Sequence, residues 1–200
     1  MTESSALLIG GGAMRGTNLP TLLTLSRFFA ALLLPAAFLL FDRPAADMAA
    51  LLLFIFAALT DFADGQIARR FGLETPLGAA LDSVADKALV MISLALLLAY
   101  FSRSEWLLIP VCVIFVRELL IAGLREQFSG KGMPLSVTSA GKWKSACQML
   151  AIALLFCNGA VSDSYKLLAA AGILVLWLAA GLTFYSGMDY VKKAIRQLGQ

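Results

Sequence analysis

Four aspartates and two glycines stand in a fixed pattern, Asp61-x2-Asp64-Gly65-x2-Ala68-Arg69-x8-Gly78-x3-Asp82-x3-Asp86. They fall inside or at the edge of two long apolar runs, where an ionised carboxylate is costly and is kept for a function. Helical spacing puts Asp61 and Asp64 (i, i+3) on one face and Asp82 and Asp86 (i, i+4) on one face of the next helix. Brought together, four bare carboxylates repel or take up protons. Hard divalent cations resolve that conflict, and carboxylate with water is the ligand set magnesium prefers. Gly65 and Gly78 remove side chains where a ligand or backbone must approach closely. Ala68 lies near them, and Arg69 can contact a phosphate or pair with an aspartate. Carboxylates, metal and small residues together point to a diphosphate-containing substrate. The plainer alternative is that the acids only pair with Arg69, Arg70, Lys87 and Arg117 in a polar bundle interior. Four acids at this spacing weigh against it.

The elements that position these residues follow from composition. Of 200 residues, 60% are hydrophobic and 14% charged, against about a quarter charged in soluble domains. Repeated apolar runs of roughly 20 residues predict an all-α polytopic membrane protein. Six spans are expected, over 22–41, 48–70, 77–100, 106–127, 140–156 and 167–188, in one domain covering residues 17–200. The short connector after the second span predicts that the second and third are antiparallel neighbours. Residues 1–16 read as a flexible tail, because the basic n-region and long apolar core of a signal peptide are missing. With six spans both termini share one side. That side collects Arg15, Arg69, Arg70, Arg125, Lys131, Lys142, Lys144, Lys192, Lys193 and Arg196, while the other has Arg43, Arg103 and Lys166. Basic residues mark the cytoplasmic side, so the termini and the aspartates are expected to face the cytoplasm from a cell (inner) membrane.

Several chemistries are excluded. The chain has no histidine, so imidazole bases, Ser-His-Asp triads and histidine-ligated zinc are absent. Cys112, Cys147 and Cys157 lack CxxC spacing and read as small buried hydrophobes. The Gly10-Gly11-Gly12 triplet lacks the GxGxxG spacing of a nucleotide loop. No nucleic-acid partner is expected.

The long aspartate pattern resembles the signature of the CDP-alcohol phosphotransferase family, and every signature position matches. The six-helix architecture of that family is similar to this chain from about Asn18 onward. The resemblance implies metal-dependent transfer of a phosphatidyl or related phosphoryl group from a CDP-linked donor to an alcohol, with release of CMP. It implies a divalent metal, Mg2+ or Mn2+, as two ions held by Asp61, Asp64 and Asp82. Asp86 is implied as general base for the acceptor hydroxyl and as a further contact to the second ion. Gly65, Ala68, Arg69 and Gly78 would lie along the cytidine diphosphate. A homodimer among membrane lipids is also implied.

Downstream segments narrow the acceptor. Arg117-Glu118-Leu119-Leu120-Ile121, then Arg125-Glu126, then Thr138 to Ser145, resemble the phosphatidylglycerophosphate synthase branch of the family. Arg117 and Arg125 fall near one helical face, and Lys142 and Lys144 open the next helix at the same membrane side. Together they can make a basic pocket for a dianion such as glycerol 3-phosphate, with CDP-diacylglycerol as donor. Alone, Arg125, Lys142 and Lys144 also suit anionic lipid heads. Glu118 would orient a basic residue, and Arg27 and Lys87 would partner the acids. Inositol phosphate or phosphatidylglycerol as acceptor remains open, as does a cation transporter. Acids gathered at one end, and the lack of a visible inverted repeat, disfavour the transporter.

Overall fold

The computed structural model describes residues 18–71, 76–129, 139–162 and 165–198. Within these, residues 62–71, 125 and 139–142, with a few others near helix ends, are described in backbone only. The expected N-terminal tail and the side chains of Asp64, Ala68, Arg69, Arg125 and Lys142 therefore lie outside the described residues.

Six helices form among the described residues: α1 (Asn18–Leu40), α2 (Ala45–Phe71), α3 (Pro76–Tyr100), α4 (Glu105–Ser129), α5 (Ser139–Ala160) and α6 (Lys166–Leu198). Among the described residues there is no strand. Three helices among the described residues contain segments long and apolar enough to cross a membrane: Ala80–Tyr100, Glu105–Leu124 and Lys166–Lys192. This is an integral membrane protein. The apolar part of α1, Thr24–Leu40, is shorter. Polar residues break up α2 and α5, including Asp47, Asp61 and Asp64 in one and Lys142, Lys144 and Gln148 in the other.

Burial follows the logic of a lipid solvent. Small residues bring helix backbones together: Ala30, Ala31, Ala50, Ala57, Ala151 and Ala180 are buried in the core beside Phe54, Leu89, Ile114 and Phe156. Large apolar side chains such as Phe29, Leu39, Leu174 and Phe184 point outward. Polar Arg27, Arg117, Glu118, Lys144, Gln148 and Thr183 are buried. In water this distribution would be inverted.

The helix order corrects one expectation. Among the described residues α2 and α3 make no extensive contact with each other; α1 packs against both. Connector length constrains only where α3 starts. The alanine-rich face of α1 decides what fills the space between, because its Ala30, Ala31 and Leu34 are all buried. Elsewhere α5 pairs with α6 and with α2, and α4 pairs with α6. Arg117 contacts Ser186, and Trp106 accepts a hydrogen bond from Trp177, so α4 and α6 run parallel.

A clamp fixes the end of the bundle remote from the aspartates. Arg43 Nε donates to Asp47 Oδ2 at 2.5 Å, and its Nη1 donates to the Tyr100 carbonyl at the end of α3. Gly159 of α5 sits against this pair. A Cβ there would come within 2.7 Å of Arg43 Nη2.

The sixth helix is longer than the apolar run predicts, continuing past Met188 to Leu198. Tyr190 and Ala194 are buried, so protein packing holds the helix beyond the apolar segment.

Candidate active site

The site is built where α1 separates the two acidic helices. Arg27 of α1 is 1% exposed. Its Nη1 lies 2.7 Å from Asp61 Oδ1 of α2 and 2.7 Å from Asp82 Oδ1 of α3. Two carboxylates from different helices thus converge on one cationic nitrogen. Both remain partly exposed, at 38% and 46%, so they stay accessible to ligands. Asp86, one turn beyond Asp82, feels the charges of Asp61, Arg27, Asp82 and Lys87. Gly78 lies in the first turns of α3, one turn before Asp82. Asp64, Gly65, Ala68 and Arg69 continue α2 beyond Asp61.

Convergence of Asp61 and Asp82 on a single point of positive charge is the arrangement a hard cation needs from carboxylate oxygens. The residues fit a divalent metal. Asp61 and Asp82 could hold it, with Asp86 adjacent. Among the described residues no three acidic, thiol or imidazole side chains close on one point, and the Asp64 carboxylate lies outside the described residues.

Beside the acids lies a cavity of about 420 Å³. Asp86, Ser83 and Lys87 line it from α3, Arg117 and Glu118 from α4, Lys144 and Ser145 from α5, and Tyr190 from α6. Its basic wall is ordered by Glu118, which is 8% exposed. Glu118 Oε1 accepts from Lys144 Nζ and, at 3.2 Å, from Arg117 Nη1. Arg117 Nη2 donates to Ser186 Oγ at 3.1 Å, and the guanidinium lies 5.7 Å from the centre of the Tyr190 ring. Ser186 Oγ in turn donates to the Thr183 carbonyl at 3.0 Å, and Gln148 Nε2 donates to Thr183 Oγ1 at 3.1 Å. Asp86 and Lys144 line the same cavity, so the acidic and basic clusters adjoin.

Of the residues expected to bind phosphate, Arg117 and Lys144 meet in this cavity with Asp86. Arg125 lies in α4 and Lys142 in α5; their side chains fall outside the described residues. Arg27 partners the acids as expected. Lys87 lies close enough for its charge to act on Asp86, and it donates its hydrogen bond to Ser83 Oγ at 2.6 Å. Sequence reasoning passed over Thr183, Ser186 and Tyr190. Their spacing (i, i+3, i+7) on one face of an otherwise apolar helix was the available signal.

Comparison with known proteins places the chain in a family. Residues 17–185 match the CDP-alcohol phosphatidyltransferase family. The chain belongs to that family. A Cereibacter sphaeroides protein named CDP-diacylglycerol–glycerol-3-phosphate 3-phosphatidyltransferase is 38% identical over 214 positions, covering 90% of this chain and 97% of the relative. An Escherichia coli K12 protein of the same name is 39% identical over 181 residues, covering 88% and 94%. A solved structure of phosphatidylinositol phosphate synthase from Mycobacterium tuberculosis, with CDP-DAG bound, superposes with a TM-score of 0.56 at 19% identity. It covers 91% of this chain and 87% of its own, a likeness of fold.

Proposed function

We propose that this family member transfers the phosphatidyl group of CDP-diacylglycerol to the 1-hydroxyl of glycerol 3-phosphate, giving phosphatidylglycerol phosphate and CMP. The observation that carries this reading is the shared cavity. Asp86 and the buried cations Arg117 and Lys144 line one 420 Å³ space. An acceptor anchored by a phosphate on the cations would thus present its hydroxyl towards the acids. The names of the relatives, which this chain matches over nearly their full length, agree.

In this reading Asp61, Asp64, Asp82 and Asp86 hold divalent metal, Mg2+ or Mn2+, as two ions. When bound, these ions polarise the diphosphate and stabilise the departing CMP. The remaining chemistry belongs to the chain. Gly65, Ala68, Arg69 and Gly78 receive the cytidine diphosphate along α2 and the start of α3. Arg117 and Lys144, with Arg125 and Lys142, bind the acceptor phosphate through charge-assisted hydrogen bonds. Asp86 takes the proton of the acceptor hydroxyl, whose oxygen forms the new bond to the phosphatidyl phosphorus as the bond to CMP breaks. Glu118 keeps Lys144 and Arg117 aligned while the pocket is empty of phosphate.

The same reading places residues 17–200 in one catalytic domain of six membrane-crossing helices, preceded by a tail over 1–16. Both termini and the site face the cytoplasm from the inner membrane, and the chain works as a homodimer. Incubating the purified protein with CDP-diacylglycerol and Mg2+ and each of three acceptors tests the assignment. Glycerol 3-phosphate should release CMP. Release only with inositol phosphate or phosphatidylglycerol would overturn the acceptor.

A further inference from the structure

Arg117 lines two cavities. The second, of about 460 Å³, opens in the seam between α4 and α6. Its walls are apolar: Val113, Val116 and Leu120 of α4 with Phe184 and Met188 of α6. The charged residues on it are Arg117 and Lys192. Val116, Leu120, Phe184 and Met188 are exposed on the bundle surface. They lie in the segments Glu105–Leu124 and Lys166–Lys192, both able to cross a membrane, so lipid bathes this trough. From Phe184 to Lys192 it runs about 12 Å along α6 and ends at a cation.

Arg117 supplies an independent indication of a ligand. It is 7% exposed, yet its Nε–H has no hydrogen-bond partner among the described residues. Gly187 presses the α6 backbone against its stem; a Cβ there would sit 3.0 Å from Arg117 Cγ. A buried donor without an acceptor is costly, and a ligand oxygen entering beside it removes that cost. An apolar trough in the hydrocarbon, with Arg117 on its wall beside Gly187 and Lys192 at its end, matches a molecule with an acyl chain and an anionic head.

We propose that the α4–α6 trough is a binding site for an anionic phospholipid, with one acyl chain along Val116, Leu120, Phe184 and Met188 and headgroup oxygens on Arg117 and Lys192. The site is separate from the donor position on α2 and α3. Because Arg117 also lines the acceptor cavity, a lipid seated here competes with glycerol 3-phosphate for one guanidinium. That consequence rests on the proposed function; the binding site does not.

Native mass spectrometry of the purified protein, loaded with phosphatidylglycerol or phosphatidylcholine of equal chain length, tests the site. The wild type should retain phosphatidylglycerol about fivefold over phosphatidylcholine, and Lys192→Gln should reduce that ratio to about one or two, as expected for one basic residue near a lipid headgroup. Val116→Trp, which fills the trough, should lose retained lipid of both kinds. Millimolar glycerol 3-phosphate should lower phosphatidylglycerol retention by the wild type. Equal retention of the two lipids, or an unchanged ratio in Lys192→Gln, overturns the proposal. So does a Val116→Trp variant that keeps its lipid, or one that changes oligomeric state, which would make the trough an interface with a second copy. Lipid preference without turnover of glycerol 3-phosphate would sink the proposed function and leave this site standing. Turnover without lipid preference would do the reverse.

Discussion

Replacing Lys144 with methionine isolates the phosphate-binding role of the basic wall. Methionine keeps most of the unbranched stem and removes the charge. In the free protein the lysine is held by Glu118, so its loss leaves that carboxylate with Arg117 at 3.2 Å. Lys144 itself is 7% exposed, so its interaction with an acceptor phosphate is little screened by water. A hydrogen bond to a charged group contributes about 1.5–3 kcal/mol, and each 1.4 kcal/mol is roughly tenfold in affinity. The variant should therefore raise the KM for glycerol 3-phosphate by about tenfold to a hundredfold, the lower end being favoured because the phosphate shares Lys144 with Glu118. The KM for CDP-diacylglycerol and kcat should change by less than about threefold, because uniform binding of the acceptor is what is lost. The assay is CMP release with each substrate varied in turn at saturating concentrations of the other. Equal rises in both KM values would mean that Lys144 only holds the fold, and no rise would remove it from the acceptor site.

Three further outcomes follow from the same geometry. Glu118→Gln leaves Lys144 and Arg117 as adjacent like charges without a counter-ion, so acceptor KM should rise while KM for the donor stays level; steady-state kinetics with both substrates check this. Arg27→Met leaves Asp61 and Asp82 facing each other unneutralised. Its thermal midpoint in detergent should fall, because the 1% exposed guanidinium is lost while the two partly exposed carboxylates limit the cost to below that of a fully buried pair, and Mg2+ should raise the midpoint more than in the wild type. Chelation with EDTA should abolish CMP release and Mg2+ should restore it; activity that survives exhaustive chelation would remove metal from the site.

The all-helical fold was legible because runs such as 77–100 and 106–127 are too long and too apolar for anything but buried or membrane helices. The aspartates were legible for the opposite reason, as charges in a costly place. The insertion of α1 between α2 and α3 was not. It depends on how Ala30, Ala31 and Leu34 fit neighbouring helices, which periodicity alone does not encode. Arg27 was legible as a partner of the acids; what packing adds is that a single nitrogen, Nη1, meets both Asp61 and Asp82. The basic wall was half legible. Arg117 stands out as a charge inside a span, but its partners Ser186 and Tyr190 come from a helix 69 and 73 positions further along. Glu118 was legible as an acid that orients a basic residue, and the fold makes it the common anchor of two, Arg117 and Lys144.

The central claim is that Asp86 takes the acceptor proton in a metal-bearing carboxylate site. Its most direct test is turnover of Asp86→Asn at saturating CDP-diacylglycerol, glycerol 3-phosphate and Mg2+, measured beside the affinity for CDP-diacylglycerol. Asparagine keeps the shape and cannot accept the proton. The account predicts a loss of about 10²–10⁴ in kcat, the range of a general base, with donor affinity largely retained. A variant that turns over within tenfold of the wild type would contradict it.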